Sequence, residues 1–330
     1  MNKHKILPIT LVGLGLLVGA PVVRSQCSEC DAIGFMEIMK DVGEAAEYHF
    51  GVTDADFAAI KRQGFNVIEG NFDICASDED VQYFLDAANR ARLKVILNAG
   101  AGEAEWGYPC DENFDPEMRP TWLKDEVVAW VNKWKGHPAL WGWDSSNEDG
   151  GTFPFSTGGT DPQPDWEMKY ALSAAQLQQA YADVKTADPD HPILIRMNGW
   201  YFYDYENDFF RPGNAFASGV ADIVMVNAYS NVEDYYSDFV TTVMTRSTNS
   251  ISKIDPKVTI IVSLGVWNEP PIFVTPSVEE LVADYKAAMK TQRLVGISFF
   301  KYGASGSEWH LPDPRRGAPE LWETIRRLMK

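Results

Sequence analysis

From residue 32 onward, short apolar runs alternate with longer stretches whose apolar residues recur at helical spacing. The runs are Ile33–Met39, Asn66–Asn71, Lys94–Asn98, Leu140–Asp144, Ile193–Asn198, Ile223–Asn227, Thr259–Leu264 and Gly296–Lys301. Most are nearly continuous in apolar residues. Strands covered on both faces in a parallel sheet have that composition, whereas a half-exposed strand alternates.

The stretches between them carry helix-end signals. Thr53 is placed to cap Asp54–Gln63, and Gly64 to stop it. Ser77 opens Asp78–Arg92, where Val81, Phe84, Leu85 and Ala88 fall on one helical face. Trp122–Lys135 follows Pro120-Thr121 and ends at Gly136. Ser173–Thr186, Glu233–Arg246 and Pro319–Met329 continue the alternation, and Ser277-Val278-Glu279-Glu280 is a capping box for a helix reaching Lys290. The connection from Trp200 to Val220 shows little helix and many aromatics, so an irregular loop of the functional kind is expected there. Eight strands, each followed by helical or loop material, predict an α/β protein, a (β/α)8 TIM barrel in a single domain. A doubly wound open sheet is the alternative. It lacks support, because no Gly-x-Gly-x-x-Gly turn follows the first strand.

The first residues change the picture of location. Met1-Asn2-Lys3-His4-Lys5 is basic, Ile6 to Val23 is apolar, and small residues stand at Val23 and Ser25. That order predicts a secretory signal peptide over residues 1–25, cleaved after Ser25 or, alternatively, after Ala20. A retained membrane anchor is the competing reading, which Pro8, Pro21 and the glycines disfavour. Cys27 raises a lipoprotein reading, but Arg24-Ser25-Gln26 lacks the small-residue pattern. The mature chain from residue 26 has no Ser/Gly/Pro-rich linker, so a single domain over 26–330 is expected, secreted or periplasmic.

A formal net charge of −18 argues against nucleic acid and anionic membranes as partners, and favours an uncharged one such as a neutral glycan. Four cysteines in an exported chain are expected to pair. Cys75 follows the second strand and Cys110 the third, so a Cys75–Cys110 disulfide would brace neighbouring loops, leaving Cys27 with Cys30. Other connectivities stay open, as does a Cys-x-x-Cys metal or redox site at Cys27 and Cys30, which no second pair supports.

Candidate chemistry collects at the C-terminal ends of the strands, where barrels of this kind carry their sites. Glu69, Asn71 and Asp73 end the second strand, Asn98 the third, Asn147 and Glu148 the fourth, Asn198 the fifth, Asn227 and Tyr229 the sixth, and Lys301 and Tyr302 the eighth. Any one asparagine there can simply terminate a strand through a side-chain turn. Together they form a ring of amides that can donate to and accept from sugar hydroxyls. Trp106, Tyr108, Phe153, Phe155, Trp200, Tyr201, Tyr203, Tyr205, Trp267 and Trp309 follow the same strand ends. Their flat apolar faces suit the CH faces of pyranose rings, although some must pack loops onto the barrel. Within this set Glu148 is placed to protonate a glycosidic oxygen.

The mature chain resembles the large (β/α)8 clan of retaining glycoside hydrolases that holds cellulases, mannanases and β-galactosidases. The resemblance rests on Asn147-Glu148 after His137-Pro138-Ala139-Leu140-Trp141-Gly142-Trp143, and on Asn227-Ala228-Tyr229 after the sixth strand. The strand-end residues themselves predict substrate contacts from Asn71, Asn98, Asn147, Asn198, Trp200, Asn227, Tyr229, Trp267 and Lys301, and the resemblance implies an acid/base role for Glu148. It also implies a nucleophilic Glu at the end of strand seven, where this chain departs. The expected position falls on Ser263 or Leu264, and the next carboxylate is Glu269. Three readings stay open: Glu269 as nucleophile or base; a partner from another strand (Glu69, Asp73, Asp144 or Glu308, with Asp144 disfavoured as part of strand four); or no second carboxylate, in a barrel that binds sugars without cleaving them or that uses substrate assistance. A retaining pair stands about 5–5.5 Å apart and an inverting pair about 6.5–9.5 Å, and a displaced Glu269 suits the wider geometry.

No cofactor or metal is expected. His4, His49, His137, His191 and His310 show no ligand spacing, and His137-Pro138 and His191-Pro192 precede strands, on the structural face. No Gly-x-Ser-x-Gly elbow is present, which argues against a serine hydrolase.

Overall fold

A computed structural model of the chain describes residues 34–38, 53–70, 72, 74, 76–99, 123–145, 174–204, 216–232, 235–268, 273–302 and 318–330. Eight parallel strands close on themselves in chain order. They are β1 (Gly34–Ile38), β2 (Val67–Gly70), β3 (Lys94–Asn98), β4 (Leu140–Asp144), β5 (Ile193–Asn198), β6 (Ile223–Asn227), β7 (Thr259–Gly265) and β8 (Leu294–Tyr302). The helices outside are α1 (Asp54–Gln63), α2 (Asp78–Arg90), α3 (Lys124–Trp134), α4 (Ala174–Ala187), α5 (Gly199–Asp204), α6 (Phe239–Ile254), α7 (Val278–Ala288) and α8 (Pro319–Leu328). The (β/α)8 expectation holds, and the open-sheet alternative falls because β8 pairs back onto β1.

Strand alternation divides the core in two. Ile68, Val95, Leu97, Ile195, Val224, Val226, Ile260, Val262 and Leu264 point outward and pack under the helices. Val67, Ile96, Trp141, Leu194, Ile223, Met225 and Ile261, with Val295, meet inside the barrel as a separate apolar plug. Successive side chains on a strand face opposite ways, so the two sets interleave. Two strands break the period. Pairing of β3 with β4 steps from Val95–Leu140 to Ile96–Gly142, which makes Trp141 an extra residue, a bulge. Pairing of β7 with β8 makes the same step at Val295. In β4 the bulge sends Trp141 inward and Trp143 outward, where its indole Nε1 donates to Asp188 at 2.9 Å.

The helix ends follow their sequence signals. Ser77 Oγ accepts from Asp80 N at 3.1 Å, and Ser277 and Glu280 satisfy each other's backbone N–H groups at 3.2 and 2.7 Å. Helix α6 differs from expectation: it begins at Phe239 rather than Glu233 and continues to Ile254 rather than Arg246. Its buried face runs through Val240, Val243, Met244, Ser247, Thr248 and Ile251, so two hydroxyl residues interrupt the apolar stripe that marks a helix in sequence. Helix α5 is also a correction, a six-residue turn of helix in the stretch expected to be irregular. Gly199 begins it because a Cβ there would stand 2.5 Å from the Asn227 carbonyl oxygen. His137 and His191 contact Asp86 and Asp188 at 3.2 and 2.7 Å, on the structural side of the strands as expected.

Candidate active site

Seven strands make the same inward step from apolar to polar as they approach their C-terminal ends. Val67 is followed on the inner face by Glu69, Ile96 by Asn98, Leu194 by Arg196, Met225 by Asn227, and Ile261 by Ser263. In the two bulged strands the step is one residue longer, from Trp141 to Asp144 and from Val295 to Ser298. The side chains of β1 lie outside the described residues. Register ties the polar groups into a layer: Asn98 pairs with Asp144, Asn198 with Asn227, Asn227 with Ser263, and Ser263 with Ser298. The interior of such barrels is ordinarily filled by branched apolar residues. Here a polar floor covers the plug on the side where the βα connections begin.

Three charged groups meet in that floor. Arg196 of β5 bonds the Asp144 carboxylate through Nε at 2.5 Å and contacts Glu69 through Nη2. Asp144 is 0% exposed and Glu69 2%. A charge so far from water is stable only when paired, and a guanidinium can serve two carboxylates at once. Burial pushes the Glu69 carboxyl up to about 8; Arg196 opposes the rise, and Asp144 adds to it by repulsion.

An aromatic group rises from the same side. Tyr229, after β6, meets Trp267, after β7, edge to face at 4.7 Å between ring centroids. Phe273 lies 4.3 Å from Trp267, and Phe300 of β8 lies 5.4 Å from Tyr229. Backbone stitching holds the group: Asn231 Nδ2 donates to the Trp267 carbonyl at 2.8 Å and Val274 N donates to the Asn231 carbonyl at 2.7 Å. Gly265 permits it, since a Cβ there would come within 1.9 Å of Asn231 Oδ1. Beneath, Ser230 and Tyr235 both donate to Asp284 of α7, the latter at 2.9 Å. Burial outweighs those donors and raises the Asp284 carboxyl to about 6.

Of the residues singled out in the sequence, Asn98, Asn198 and Asn227 stand on the inner face at the strand ends, and Tyr229 and Trp267 come together in the aromatic group. Asn98 and Asn198 also have local structural duties. The Asn98 carbonyl accepts from Trp130 Nε1 at 2.9 Å, and Asn198 Oδ1 accepts from Trp200 N at 2.9 Å, opening α5. Trp200 packs elsewhere, 4.3 Å from Phe239 in a group with Tyr203 and Tyr236 over α6. Lys301 is placed on β8 by its backbone, and its side chain lies outside the described residues. So do Asn71, Asp73, Cys75, Cys110, Asn147, Glu148, Glu269 and Glu308. Ser145 is the last described residue after β4, three positions before Glu148. At the end of β7 Leu264 turns outward into the helix layer and Ser263 inward, so the inward residue at the departure point is a serine.

Asp144 belongs to β4, as expected, yet membership in the strand does not remove it from the site, because the bulge turns it inward. Arg196 was missed altogether. Its signal was present: one charged residue inside the apolar run Ile193-Leu194-Ile195-Arg196-Met197 must be paired if the run is buried.

No family model and no curated protein matches the chain. Solved structures do. An endocellulase from Pyrococcus horikoshii superposes with a TM-score of 0.58 at 10% identity, over 91% of this chain and 93% of that one. A β-1,4-D-mannanase from Cryptopygus antarcticus gives 0.56 at 14% identity, over 90% of each chain. The β-glucuronidase 2 of Bacteroides uniformis gives 0.51 at 15% identity, where this chain spans only 30% of the longer protein. The structural neighbours are glycoside hydrolases. At these identities the shared property is the barrel.

Proposed function

We propose that the chain is an exported glycoside hydrolase acting on a neutral oligo- or polysaccharide, with Glu148 as general acid/base. The observation that carries this reading is the polar floor set against an aromatic wall at the C-terminal end of the barrel. Amides and hydroxyls from β3, β6, β7 and β8 match sugar hydroxyls, and Tyr229 and Trp267 offer ring faces. Glu148 follows the strand whose end contributes Asp144 to that floor. The enzymes named among the structural neighbours act on cellulose- and mannan-type glycans or on glycosides, and the charge of −18 fits an uncharged substrate.

For the partner carboxylate, the pairing of both Glu69 and Asp144 with Arg196 favours Glu269 over either of them. Asn71, Asn147 and Lys301 complete the proposed substrate contacts. Residues 1–25 act as the export signal and a Cys75–Cys110 disulfide braces the rim in this reading.

A second reading has its own support. Strand β7 ends Ser263-Leu264-Gly265, with no carboxylate among its described residues, which favours a barrel that binds carbohydrate without cleaving it. A panel of neutral glycans separates the two. New reducing ends, lost in Glu148→Gln by about 10²–10⁴-fold, mark the hydrolase. Retarded migration in glycan-containing gels without new reducing ends marks the binding protein. A Glu269→Ala variant with an unaltered rate removes Glu269 from the mechanism.

A further inference from the structure

Two carboxylates meet one guanidinium inside the barrel. Glu69 contacts Arg196 Nη2 and Asp144 accepts from Arg196 Nε, so two almost wholly buried carboxyls crowd one guanidinium. One guanidinium offsets the charge of one carboxylate, and a second carboxyl buried beside it is held at lower cost with a proton than as an uncompensated charge. Asp144 accepts the charge-assisted bond from Arg196 Nε at 2.5 Å, whereas neither carboxyl oxygen of Glu69 accepts a hydrogen bond among the described residues, which assigns the charge to Asp144 and the proton to Glu69. Among the described side chains, the other inward groups of this layer, Asn98, Asn227, Ser263 and Ser298, are uncharged, and the register partner of Glu69 on β1 is the carboxylate residue Glu37.

We propose that Glu69, Asp144 and Arg196 form a proton-locked clamp across β2, β4 and β5, which shapes the floor of the site and opens when the Glu69 proton leaves to solvent. With the proton in place the cluster holds one negative and one positive charge. Without it, two carboxylates that are almost wholly buried crowd one guanidinium, and the end of β2 is pushed from β4. The burial that raises the Glu69 carboxyl to about 8 puts this change just above neutrality. As a lock within the fold the clamp stands by itself; as a regulator of ligand handling it rests on the glycosidase reading.

The lock is read in the full-length protein by infrared spectroscopy with carbon-13-labelled glutamate. A protonated glutamic acid band at about pH 7 that vanishes by about pH 9, and is missing from Glu69→Gln at both, is expected. Native wild-type protein without that band at pH 7 overturns the proposal, whether or not the variant folds. Stability supplies an independent check. Glu69 keeps its proton up to about 8 in the native chain against 4.5 for an ordinary glutamate, so stability from this group falls as pH rises between those values and is level above them. Thermal unfolding of Glu69→Gln lacks that fall; parallel curves for the two proteins defeat the assignment.

The regulatory half is read on a neutral glycan. Retardation or hydrolysis falls about tenfold in the wild type one pH unit above the Glu69 value, and not in Glu69→Gln. Equal responses of the two proteins overturn it. A positive infrared result together with neither binding nor hydrolysis on any glycan removes the glycosidase reading and leaves the lock.

Discussion

The two inner layers of the barrel are built from neighbouring positions of the same strands, yet they solve opposite problems. In the plug, Leu194, Ile261 and Met225 need only shape, because dispersion and loss of water act without direction. One step further along each strand, Arg196, Ser263 and Asn227 need partners, because a buried polar group without one costs more than it returns. The lower layer is therefore tolerant of exchange among apolar residues of similar volume, and the upper layer is tolerant of almost nothing. A fold that wanted only stability would repeat the lower layer. The polar floor is the part that asks for a function.

Substitutions can break that contrast. Arg196→Met is expected to be the most damaging, about 3–5 kcal/mol in denaturant unfolding, since it removes the guanidinium that two buried carboxyls contact. If the variant is as stable as wild type, the floor is not an ion-paired layer. Leu194→Ala in the plug removes packing and leaves a cavity, for about 2–5 kcal/mol, whereas Leu194→Met costs under about 1.5 kcal/mol. A large loss in the Met variant would erase the proposed difference between the layers.

The outer support of the aromatic wall gives a smaller effect with a pH signature. Asp284 holds its proton up to about 6 against 3.8 for an ordinary aspartate, so its contribution to stability falls as pH rises from 3.8 to 6 and is flat above. Unfolding of Asp284→Asn across that window is expected to lack the fall, and near-ultraviolet circular dichroism should report loosening of Trp267 and Tyr229 in the same variant. Identical pH profiles would dismiss the burial of Asp284 as the cause. Smallest of all, Ser277→Ala removes the cap of α7 for about 1 kcal/mol, with no change in the optical signal of the aromatic group.

The barrel was legible because its signals are local. Apolar runs and caps lie within a few residues of the elements they specify, and Asp54–Gln63 emerges with the same ends in sequence and structure. The run of α6 past Arg246 to Ile254 shows where locality fails: Ser247 and Thr248 are buried only because the fold around them is complete. The site was half legible. Asn98, Asn227, Tyr229 and Trp267 were found from their position after strands, which fixes the face of the barrel on which they lie. Arg196 was overlooked because its meaning depends on Glu69 and Asp144, far away along the chain and adjacent only after closure. Trp200 shows the converse: position after β5 marked it for substrate, but α6 supplies Phe239 as a packing partner.

The extra residue at Trp141 has an evolutionary corollary. It offsets the inside–outside count of β4 by one, so that an indole enters the barrel below and a carboxylate enters above, with a second indole anchored to Asp188 between them. Losing a single codon here would turn Asp144 toward the helices, and Arg196 would confront Glu69 alone. Relatives that keep the clamp should therefore keep the length of this strand unchanged.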